Sequence, residues 1–200
     1  MKVLFIAFTG NMSSLCIGMR GEDMNFRQWW VVRQLKDIAY EVKKISGFPA
    51  SAFISQAIWE TGWLKYIPCD TITKKKSNNI LGIKAKPGKY EGTNGYVTCG
   101  THEWDKVLNK YIFIPKATFR AYNTYKECML DYVNVIKNST IVIKGVKIQR
   151  YRRALTNEAL RDMRIFIQEI WEAGYATDKF YPANVIKIAE KCGLIPKIMG

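Results

Sequence analysis

Hydrophobic positions recur at helical spacing in the first part of the chain and predict two consecutive helices. Across residues 28–45 one apolar stripe faces away from a row of lysines, and it consists of Val31, Val32, Leu35, Ile38, Ala39 and Val42. The same spacing returns after Pro49, a residue suited to a first helical turn, in Ala50, Phe53, Ile54, Ala57 and Ile58. Gly47 and Gly62 are natural helix ends. Because the connection is short, we expect an αα-hairpin.

The middle of the chain has strand-like content. Residues 64–79 are polar and lysine-rich and predict a loop. Two segments rich in β-branched and aromatic residues follow, 96–104 and 111–122, with a polar turn at 105–110 between them. This arrangement predicts a β-hairpin.

Helical spacing returns in the last third. One stripe runs through Tyr125, Met129, Tyr132, Val133 and Ile136, and a second through Leu160, Met163, Ile167, Ile170 and Trp171. A last helix is predicted with Thr177 as its N-cap and Gly193 at its C-terminal end. The predicted fold class is therefore α+β, mostly helical with a small central β-hairpin.

Length and composition favour one compact domain. The chain has 200 residues, of which 48% are hydrophobic, so a substantial core can form. We expect residues 26–200 to form this domain and residues 1–25 to be a leader or an N-terminal extension. No segment is long enough to span a membrane.

The charge of the chain points to an anionic partner. Thirty-one lysines and arginines against 17 acidic residues leave a net charge of +14. Nucleic acid, acidic lipid and anionic cell-wall polymers would all be attracted to such a surface. The sequence has no zinc-finger spacing, no RNP-type strand and no basic-zipper register, so we do not expect a nucleic-acid binder.

Cysteine and histidine usage argues against a metal centre. The five cysteines are odd in number and contain no Cys-x-x-Cys pair, which favours free thiols in a reducing compartment. His102 is the single histidine, so neither a His-rich metal site nor a Ser-His-Asp device is expected. We expect neither a metal nor a cofactor.

Glu60 is the first candidate for chemistry. At roughly 100° per residue it lies about 20° from Phe53, at the rim of the apolar face of the second helix. Trp59 and Trp63 flank it. Partial desolvation would raise the pKa of its carboxyl towards the range of a general acid near neutral pH. A solvated glutamate near a helix end fits the same pattern, so the residues alone leave both interpretations open.

Four sequence blocks then occur in the order of one enzyme family. The first is FPASAFISQAIWETGW at 48–63 and the second is SNNILGIKA at 77–85. The third starts with THEW at 101–104 and continues through FRAY at 119–122, and the fourth is AGYATD at 173–178. Together they resemble the bacterial cell-wall N-acetylglucosaminidases of glycoside hydrolase family 73, which include flagellar peptidoglycan hydrolases and autolysins. The first block in that family usually reads like (I/L)PAS-x-x-x-AQAxLESGWG.

The resemblance implies a lysozyme-like fold and a reaction. The enzyme would hydrolyse the β-1,4 bond after N-acetylglucosamine in peptidoglycan, with Glu60 as the general acid. Glu103 matches a hairpin glutamate of the family and would be the base that activates water, which a mobile hairpin would bring over the cleft. Assistance by the acetamido group of the sugar would need no second carboxylate.

The resemblance also implies a substrate-binding wall. Tyr175 matches a tyrosine that lines the cleft near the acid, where a phenol can stack on a sugar or hydrogen-bond the acid. Asn79 and the backbone of Gly82, Ile83 and Lys84 would position the N-acetyl group. Trp63 would be either a cleft platform or part of the core.

Three departures from the family pattern affect subsites and delete no proposed catalytic group. Thr61 replaces a serine, Leu64 replaces a glycine, and Ile80-Leu81 replaces Leu-Phe.

We expect the protein to act at the cell wall as a monomer. Its expected partners are peptidoglycan strands and the anionic wall polymers that its basic surface would attract. Its origin would be a phage lysin made in the host cytoplasm or a secreted autolysin.

Other interpretations remain open at this point. A muramidase or lytic transglycosylase of lysozyme-like fold would cut the other glycosidic bond, and a non-catalytic wall-binding protein would cut none.

Overall fold

Helices are the largest part of the regular structure, a computed structural model that describes residues 24–105 and 107–197. The helices are α1 (Phe26–Ser46), α2 (Ala50–Thr61), α3 (Tyr125–Asn138), α4 (Asn157–Arg161), α5 (Met163–Glu172) and α6 (Tyr181–Lys191), with a 3₁₀ turn at Arg152–Leu155. The leader predicted for residues 1–25, and Cys16 within it, lie almost wholly outside the described residues. Among those residues no helix is long and apolar enough to cross a membrane.

Helix α2 lies at the centre of the helical body. It packs against α1, α5 and α6. Nine of its twelve residues are buried, including the polar Ser55 and Gln56. The apolar stripe of the sequence therefore understates its burial, because neighbours cover the helix on several sides. As α2 runs out of this core, its last turn brings Glu60 to the edge of the body.

The ends of the first two helices follow from local sequence. Asn25 caps α1, and its side chain and that of Gln28 form a reciprocal capping box. Gly47 ends α1 in the left-handed conformation, with φ of 82°. The predicted αα-hairpin is confirmed, with boundaries one or two residues wider for α1 than the apolar stripe.

The predicted β-hairpin is also confirmed. Strand β1 (Tyr96–Asp105) pairs antiparallel with β2 (Lys110–Arg120), and a bulge interrupts the register between Cys99 and Thr101. At this bulge the Phe113 ring lies against Gly100, where a Cβ atom would come within 2.6 Å of it. A larger residue at this position would have to push the exposed Phe113 ring aside.

The hairpin base holds the segment that follows the lysine-rich loop. The amide of Arg120 donates to the carbonyl of Ile83 at 3.0 Å, and the amide of Ala85 donates to that of Thr118 at 3.0 Å. Asp70 ties the loop itself to β1, because its carboxylate accepts from the amide of Thr98 at 2.9 Å. The Gly82–Lys84 turn is therefore fixed relative to the hairpin.

A second, short hairpin was not predicted. Strands β3 (Thr140–Ile143) and β4 (Val146–Gln149) pair antiparallel across Lys144-Gly145. Both turn residues have positive φ, 49° and 80°, as a two-residue hairpin turn requires. The signal was the glycine between two β-branched runs, TIVI and VKIQ.

Two predictions about the last third are corrected. The stripe from Leu160 to Trp171 belongs to two helices, because Asp162 leaves the helical conformation and its carboxylate accepts from the amide of Arg164 at 2.7 Å. Thr177 does not cap α6, which begins at Tyr181. Its hydroxyl donates to the carbonyl of Trp104 at 3.0 Å instead, and so joins the loop before α6 to the β1–β2 hairpin.

Candidate active site

A groove separates the helical body from the β1–β2 hairpin, and Glu60 lies in its wall. A cavity of about 410 Å³ opens on one side, between the hairpin tip and residues 174–181. A second cavity, of about 660 Å³, opens on the other side, between the hairpin base and residues 65–69. Glu60, Gly82 and His102 line both cavities. An elongated ligand can therefore pass Glu60 with contacts on either side.

The end of α2 determines where Glu60 points. Helix α2 stops at Thr61, and three residues in a row, Gly62, Trp63 and Leu64, adopt left-handed conformations with φ of 54°, 65° and 59°. The chain thereby turns sharply away after the glutamate. The carboxyl is left facing the groove in place of a further helical turn.

The environment of Glu60 favours its protonated form. Burial raises the pKa of the Glu60 carboxyl from 4.5 to about 7, and the nearby Glu103 carboxylate raises it in the same direction. A hydrogen bond from Tyr181 and the charge of Lys84 act in the opposite direction. A carboxyl with a pKa near 7 can both donate and accept a proton at neutral pH, which is the property required of a general acid.

Gly82 closes the groove behind the carboxyl. Its φ is 66°, and a Cβ atom placed on it would lie 3.0 Å from Oε2 of Glu60. Both the backbone conformation and the close approach therefore favour glycine at this position. The Gly82 backbone contributes to the desolvation that raises the Glu60 pKa.

A buried polar chain reaches Glu60 from inside the body, and the sequence did not reveal it. The Tyr132 hydroxyl donates to Oε1 of Gln56 at 3.0 Å, and Nε2 of Gln56 donates to the Tyr181 hydroxyl at 2.8 Å. The Tyr181 side chain lines the same cavity as Glu60 and lowers the pKa of its carboxyl. A signal was present in the sequence, because Gln56 is the one amide on α2 and precedes Glu60 by four residues, which places both on one helix face.

Tyr175 lines the groove, yet it does not bond the acid. Its hydroxyl donates to the carbonyl of Leu81 at 2.5 Å, and its ring packs edge-on against Tyr132 with centroids 5.5 Å apart. Burial holds the pKa of the Tyr175 phenol well above its usual range, so it remains a donor. Tyr181, by contrast, lowers the pKa of the Glu60 carboxyl.

Glu103 and Lys84 face each other across the groove mouth. Glu103 lies on β1, opposite Ile112 of β2, and pairs with the ammonium group of Lys84. The Lys84 ammonium also lies over the Phe119 ring, 4.0 Å from its centroid. Both side chains remain partly exposed, at 39% for Glu103 and 48% for Lys84. The structure therefore brings the second predicted carboxylate into the same cavity as Glu60.

Asn79 supports the wall from within. It is fully buried, its Nδ2 donates to the carbonyls of Ile83 at 2.8 Å and Arg120 at 2.9 Å, and its Oδ1 accepts from the amide of Ile83 at 3.0 Å. These three bonds shape the turn, and Asn79 also lines the cavity of about 660 Å³ beside Glu60, so its contact with the N-acetyl group stays a prediction. Gly82, Ile83 and Lys84 themselves line the cavity, as predicted.

Trp63 lies away from the groove, which corrects its assignment as a substrate-binding residue. The left-handed turn after Thr61 carries the ring towards α6, where the Lys191 ammonium lies 5.9 Å from its centroid. Trp63 packs on the edge of the core. Trp59, which stays on α2, lines the cavity instead.

The hairpin tip is bound to the segment that precedes α6. The Tyr111 hydroxyl donates to Oδ2 of Asp178 at 2.7 Å, and Lys179 donates to Oδ1 of Asn109 at 3.2 Å. Nε1 of Trp171 donates to the Asp178 carbonyl at 2.8 Å, which fixes this segment on α5. These contacts close the groove above the 410 Å³ cavity.

Metal binding has no support in the part of the chain that the structure describes. Across residues 24–105 and 107–197 no group of three or more histidine, cysteine, aspartate or glutamate side chains could hold an ion. Cys69, Cys99, Cys128 and Cys192 are free thiols.

Comparison with known proteins assigns this arrangement to a group of enzymes. Residues 36–194 match the family model for glucosaminidases, described as mannosyl-glycoprotein endo-beta-N-acetylglucosaminidase. The chain is 31% identical over 157 residues to the peptidoglycan hydrolase FlgJ of Vibrio cholerae, which covers 78% of the chain and 41% of the relative. It is 28% identical over 155 residues to an autolysin of Enterococcus faecalis, covering 77% of the chain and 19% of the relative.

Solved structures agree with these sequence matches. A peptidoglycan hydrolase mutant from Sphingomonas sp. A1 superposes with a TM-score of 0.64 and 25% identity, covering 80% of the chain and 92% of that structure. The predicted lysozyme-like α+β fold is thereby confirmed. The chain spans less than half the length of the curated relatives it matches.

Proposed function

Because the chain belongs to the glucosaminidase family of glycoside hydrolases, glycoside hydrolase family 73, we propose that it hydrolyses peptidoglycan with Glu60 as its general acid. The bond cleaved is the β-1,4 bond between N-acetylglucosamine and N-acetylmuramic acid. The observation that carries the proposal is a carboxyl with a pKa of about 7 in the wall of an elongated groove.

The acid step follows from the surroundings of Glu60. Its protonated carboxyl donates to the glycosidic oxygen as the bond to the leaving sugar breaks. Burial against Gly82 keeps the proton on at neutral pH, while Tyr181 stabilises the carboxylate that forms. The two effects oppose each other, so the pKa remains close to the pH at which the enzyme would work.

Glu103 is the proposed base. It lies in the same cavity, on the hairpin strand opposite Glu60, where it can activate a water molecule for attack on the anomeric carbon. Lys84 holds its carboxylate at the groove mouth. Participation of the acetamido group of the substrate is the alternative route, in which Glu103→Gln would retain most of the activity.

Substrate binding is proposed for the walls of the groove. Tyr175 and Trp59 line the groove and would make sugar contacts, and the Gly82–Lys84 turn forms the wall that would position the N-acetyl substituent. Cavities on both sides of Glu60 fit a polymer that is cut internally. The net charge of +14 would hold the enzyme on anionic wall polymers.

The setting of this reaction is the bacterial cell wall. The relatives named above are the peptidoglycan hydrolase FlgJ and an autolysin. We propose the same target for this chain, acting as a phage lysin or as an autolysin.

The test is release of reducing ends from purified peptidoglycan by the wild type and by Glu60→Gln. New ends are reduced with borohydride and identified by mass spectrometry. Reduced N-acetylglucosamine ends made by the wild type and lost in Glu60→Gln would support the proposal. Muramic or anhydromuramic ends would assign the chain to the other bond, and unchanged release by Glu60→Gln would refute the role of Glu60.

A further inference from the structure

Among the described residues, three lysine or arginine side chains line the cavity of about 410 Å³, and they differ in what they bind. Lys84 pairs with Glu103, and Nη1 of Arg120 donates to both carboxylate oxygens of Asp131, at 3.0 and 2.8 Å. Arg150 makes no ion pair within the part of the chain that the structure describes. It is therefore a cation of the groove whose charge no acid of the described chain neutralises directly.

Two carboxylates in the neighbourhood of Arg150 are used by another arginine. Glu169 and Glu172 line a separate cavity of about 210 Å³ together with Arg150. Both of them pair with Arg153, at 2.7 and 3.2 Å. These acids therefore leave the Arg150 guanidinium to the groove.

Neutral groups hold the Arg150 guanidinium in place. Its Nε donates to the carbonyl of Ala173 at 2.7 Å, and its Nη2 donates to the carbonyl of Gly174 at 2.8 Å. The backbone amide of Arg150 donates to the carbonyl of Ser139 at 2.8 Å and closes the base of the β3–β4 hairpin. The second hairpin, which the sequence did not predict, thus positions this side chain against the end of α5.

These bonds leave part of the guanidinium available to a ligand. A guanidinium has five N–H groups in one plane, and in the described part of the chain no residue accepts from Nη1 of Arg150. The side chain is only partly buried. Because arginine stays charged and presents its donors as a fork, carboxylates are the ligands that suit it best.

Arg150 lies one residue away from the active-site wall. Gly174, whose carbonyl it binds, precedes Tyr175, and the Tyr175 hydroxyl donates to the carbonyl of Leu81. A Cβ atom on Gly174 would lie 2.6 Å from Nη2 of Arg150, so a larger residue there would push the guanidinium out of place. Arg150, Tyr175 and Glu60 line the same cavity. A polymer that reaches Glu60 through this cavity therefore passes Arg150.

Peptidoglycan carries carboxylates on every second sugar. N-acetylmuramic acid bears a lactyl ether, which either ends in a free carboxylate or continues into a stem peptide with carboxylates of its own. N-acetylglucosamine is neutral. A cation fixed beside the groove can therefore distinguish peptidoglycan from a neutral polymer of N-acetylglucosamine.

We infer that Arg150 is a specificity-determining residue that binds a carboxylate of the muramic acid substituent, from the lactyl group or from the stem peptide. This inference rests on the proposed function, because it takes peptidoglycan as the substrate. The bonds to Ala173 and Gly174 fix the guanidinium before the ligand arrives, so little side-chain entropy is lost on binding.

The test is the affinity of soluble glycan strands for the protein in the Glu60→Gln background, which lacks the proposed acid, measured by isothermal titration calorimetry. One ligand is uncross-linked peptidoglycan that retains its stem peptides, and the other is the same glycan with the peptides removed and the lactyl carboxylates free. Each is also used after its carboxylates have been converted to neutral amides with carbodiimide and ammonia.

Arg150→Met should weaken the binding of carboxylate-bearing strands about tenfold, as expected for the loss of one hydrogen-bonded charge contact, and leave the binding of amidated strands unchanged. Arg150→Lys keeps the charge without the planar fork, so its affinity should lie between those of its parent and Arg150→Met. A loss confined to the peptide-bearing strands assigns the contact to the stem peptide. A loss with the peptide-free strands assigns it to the lactyl carboxylate.

Arg152→Met is the matched control. Arg152 is exposed, is absent from the lining of the 410 Å³ cavity, and carries the same charge. Its removal should change the affinity by about twofold at most. If Arg152→Met weakened binding as much as Arg150→Met, general attraction by the basic surface would explain the effect and the inference would fall.

A purely structural role for Arg150 predicts a different result. As a cap on the end of α5 it would lower the melting temperature when replaced, and it would weaken the binding of native and amidated strands equally. That outcome, in Arg150→Met or in the milder Arg150→Lys, would overturn the inference.

The same measurements separate this inference from the function on which it rests. If the Glu60→Gln parent bound none of the strands and the wild type released no reducing ends, the proposed function would be wrong. If the parent bound the strands and Arg150→Met bound them equally tightly, peptidoglycan would stand as the substrate and the role of Arg150 would fall.

Discussion

Replacing Glu60 with glutamine should stabilise the protein at high pH and leave its stability unchanged at low pH. In the folded protein the carboxyl has a pKa of about 7, against an ordinary value of 4.5. Because the folded state binds the proton more tightly than the unfolded state, stability falls as the pH rises through this interval. Glutamine mimics the protonated acid at every pH and avoids that loss.

The magnitude follows from the difference in pKa. A difference of about 2.5 corresponds to about 3 kcal/mol at about 1.4 kcal/mol per pKa unit. We therefore expect Glu60→Gln to exceed the wild type by about 3 kcal/mol above pH 8 and by nearly nothing below pH 4.5. Such a gain in stability on removal of Glu60 is the trade-off expected of its proposed role as the acid of an active site.

The assay is equilibrium unfolding in urea at intervals between pH 4.5 and pH 9. Glu158→Gln is the control, because Glu158 is exposed in the first turn of α4, away from the groove. The difference between this control and the wild type should stay within about 0.5 kcal/mol across the range. A stability difference for Glu60→Gln that did not grow with pH, or a less stable Glu60→Gln at pH 8, would refute the reasoning.

Three further predictions concern the wall, the hairpin and the surface. Asn79→Ala should lower the free energy of unfolding, measured by urea denaturation, by about 2–4 kcal/mol, because it leaves backbone groups of Ile83 and Arg120 buried without partners. A loss below about 1 kcal/mol would contradict this role. Tyr111→Phe removes the hydrogen bond to Asp178 and should speed amide hydrogen exchange in the hairpin tip, with exchange in α1 as the internal reference. Exchange rates in the tip equal to those of the wild type would refute this prediction. The fraction of Glu60→Gln that sediments with peptidoglycan should decline steeply as the sodium chloride concentration rises. Binding that does not depend on salt would rule out a charge-driven contact.

Local patterns in the sequence were sufficient for the main elements. The apolar stripes and helix ends predicted α1 and α2, because helical spacing and left-handed glycines are properties of a few neighbouring residues. The β1–β2 hairpin followed in the same way from strand-like content around a polar turn. Family blocks in the right order indicated the lysozyme-like fold and placed Glu60 at the end of α2.

Errors occurred where a distant contact overrides a local preference. Thr177 looks like a helix cap, yet its hydroxyl is taken by the carbonyl of Trp104, which lies 73 residues earlier. Trp63 follows the acid in sequence, but the left-handed turn after α2 carries it towards Lys191. Neither outcome can be read from spacing, because each depends on where another element lies.

The sequence by itself determined α1, α2, the β1–β2 hairpin, the family and the carboxyl at the rim of a core. Only the tertiary structure decided how that carboxyl behaves. Its pKa depends on burial against Gly82, on Tyr181 from α6, and on the charges of Lys84 and Glu103, which lie far apart along the chain. Desolvation and hydrogen bonding act over a few ångströms in space, whereas sequence patterns record only neighbours along the chain.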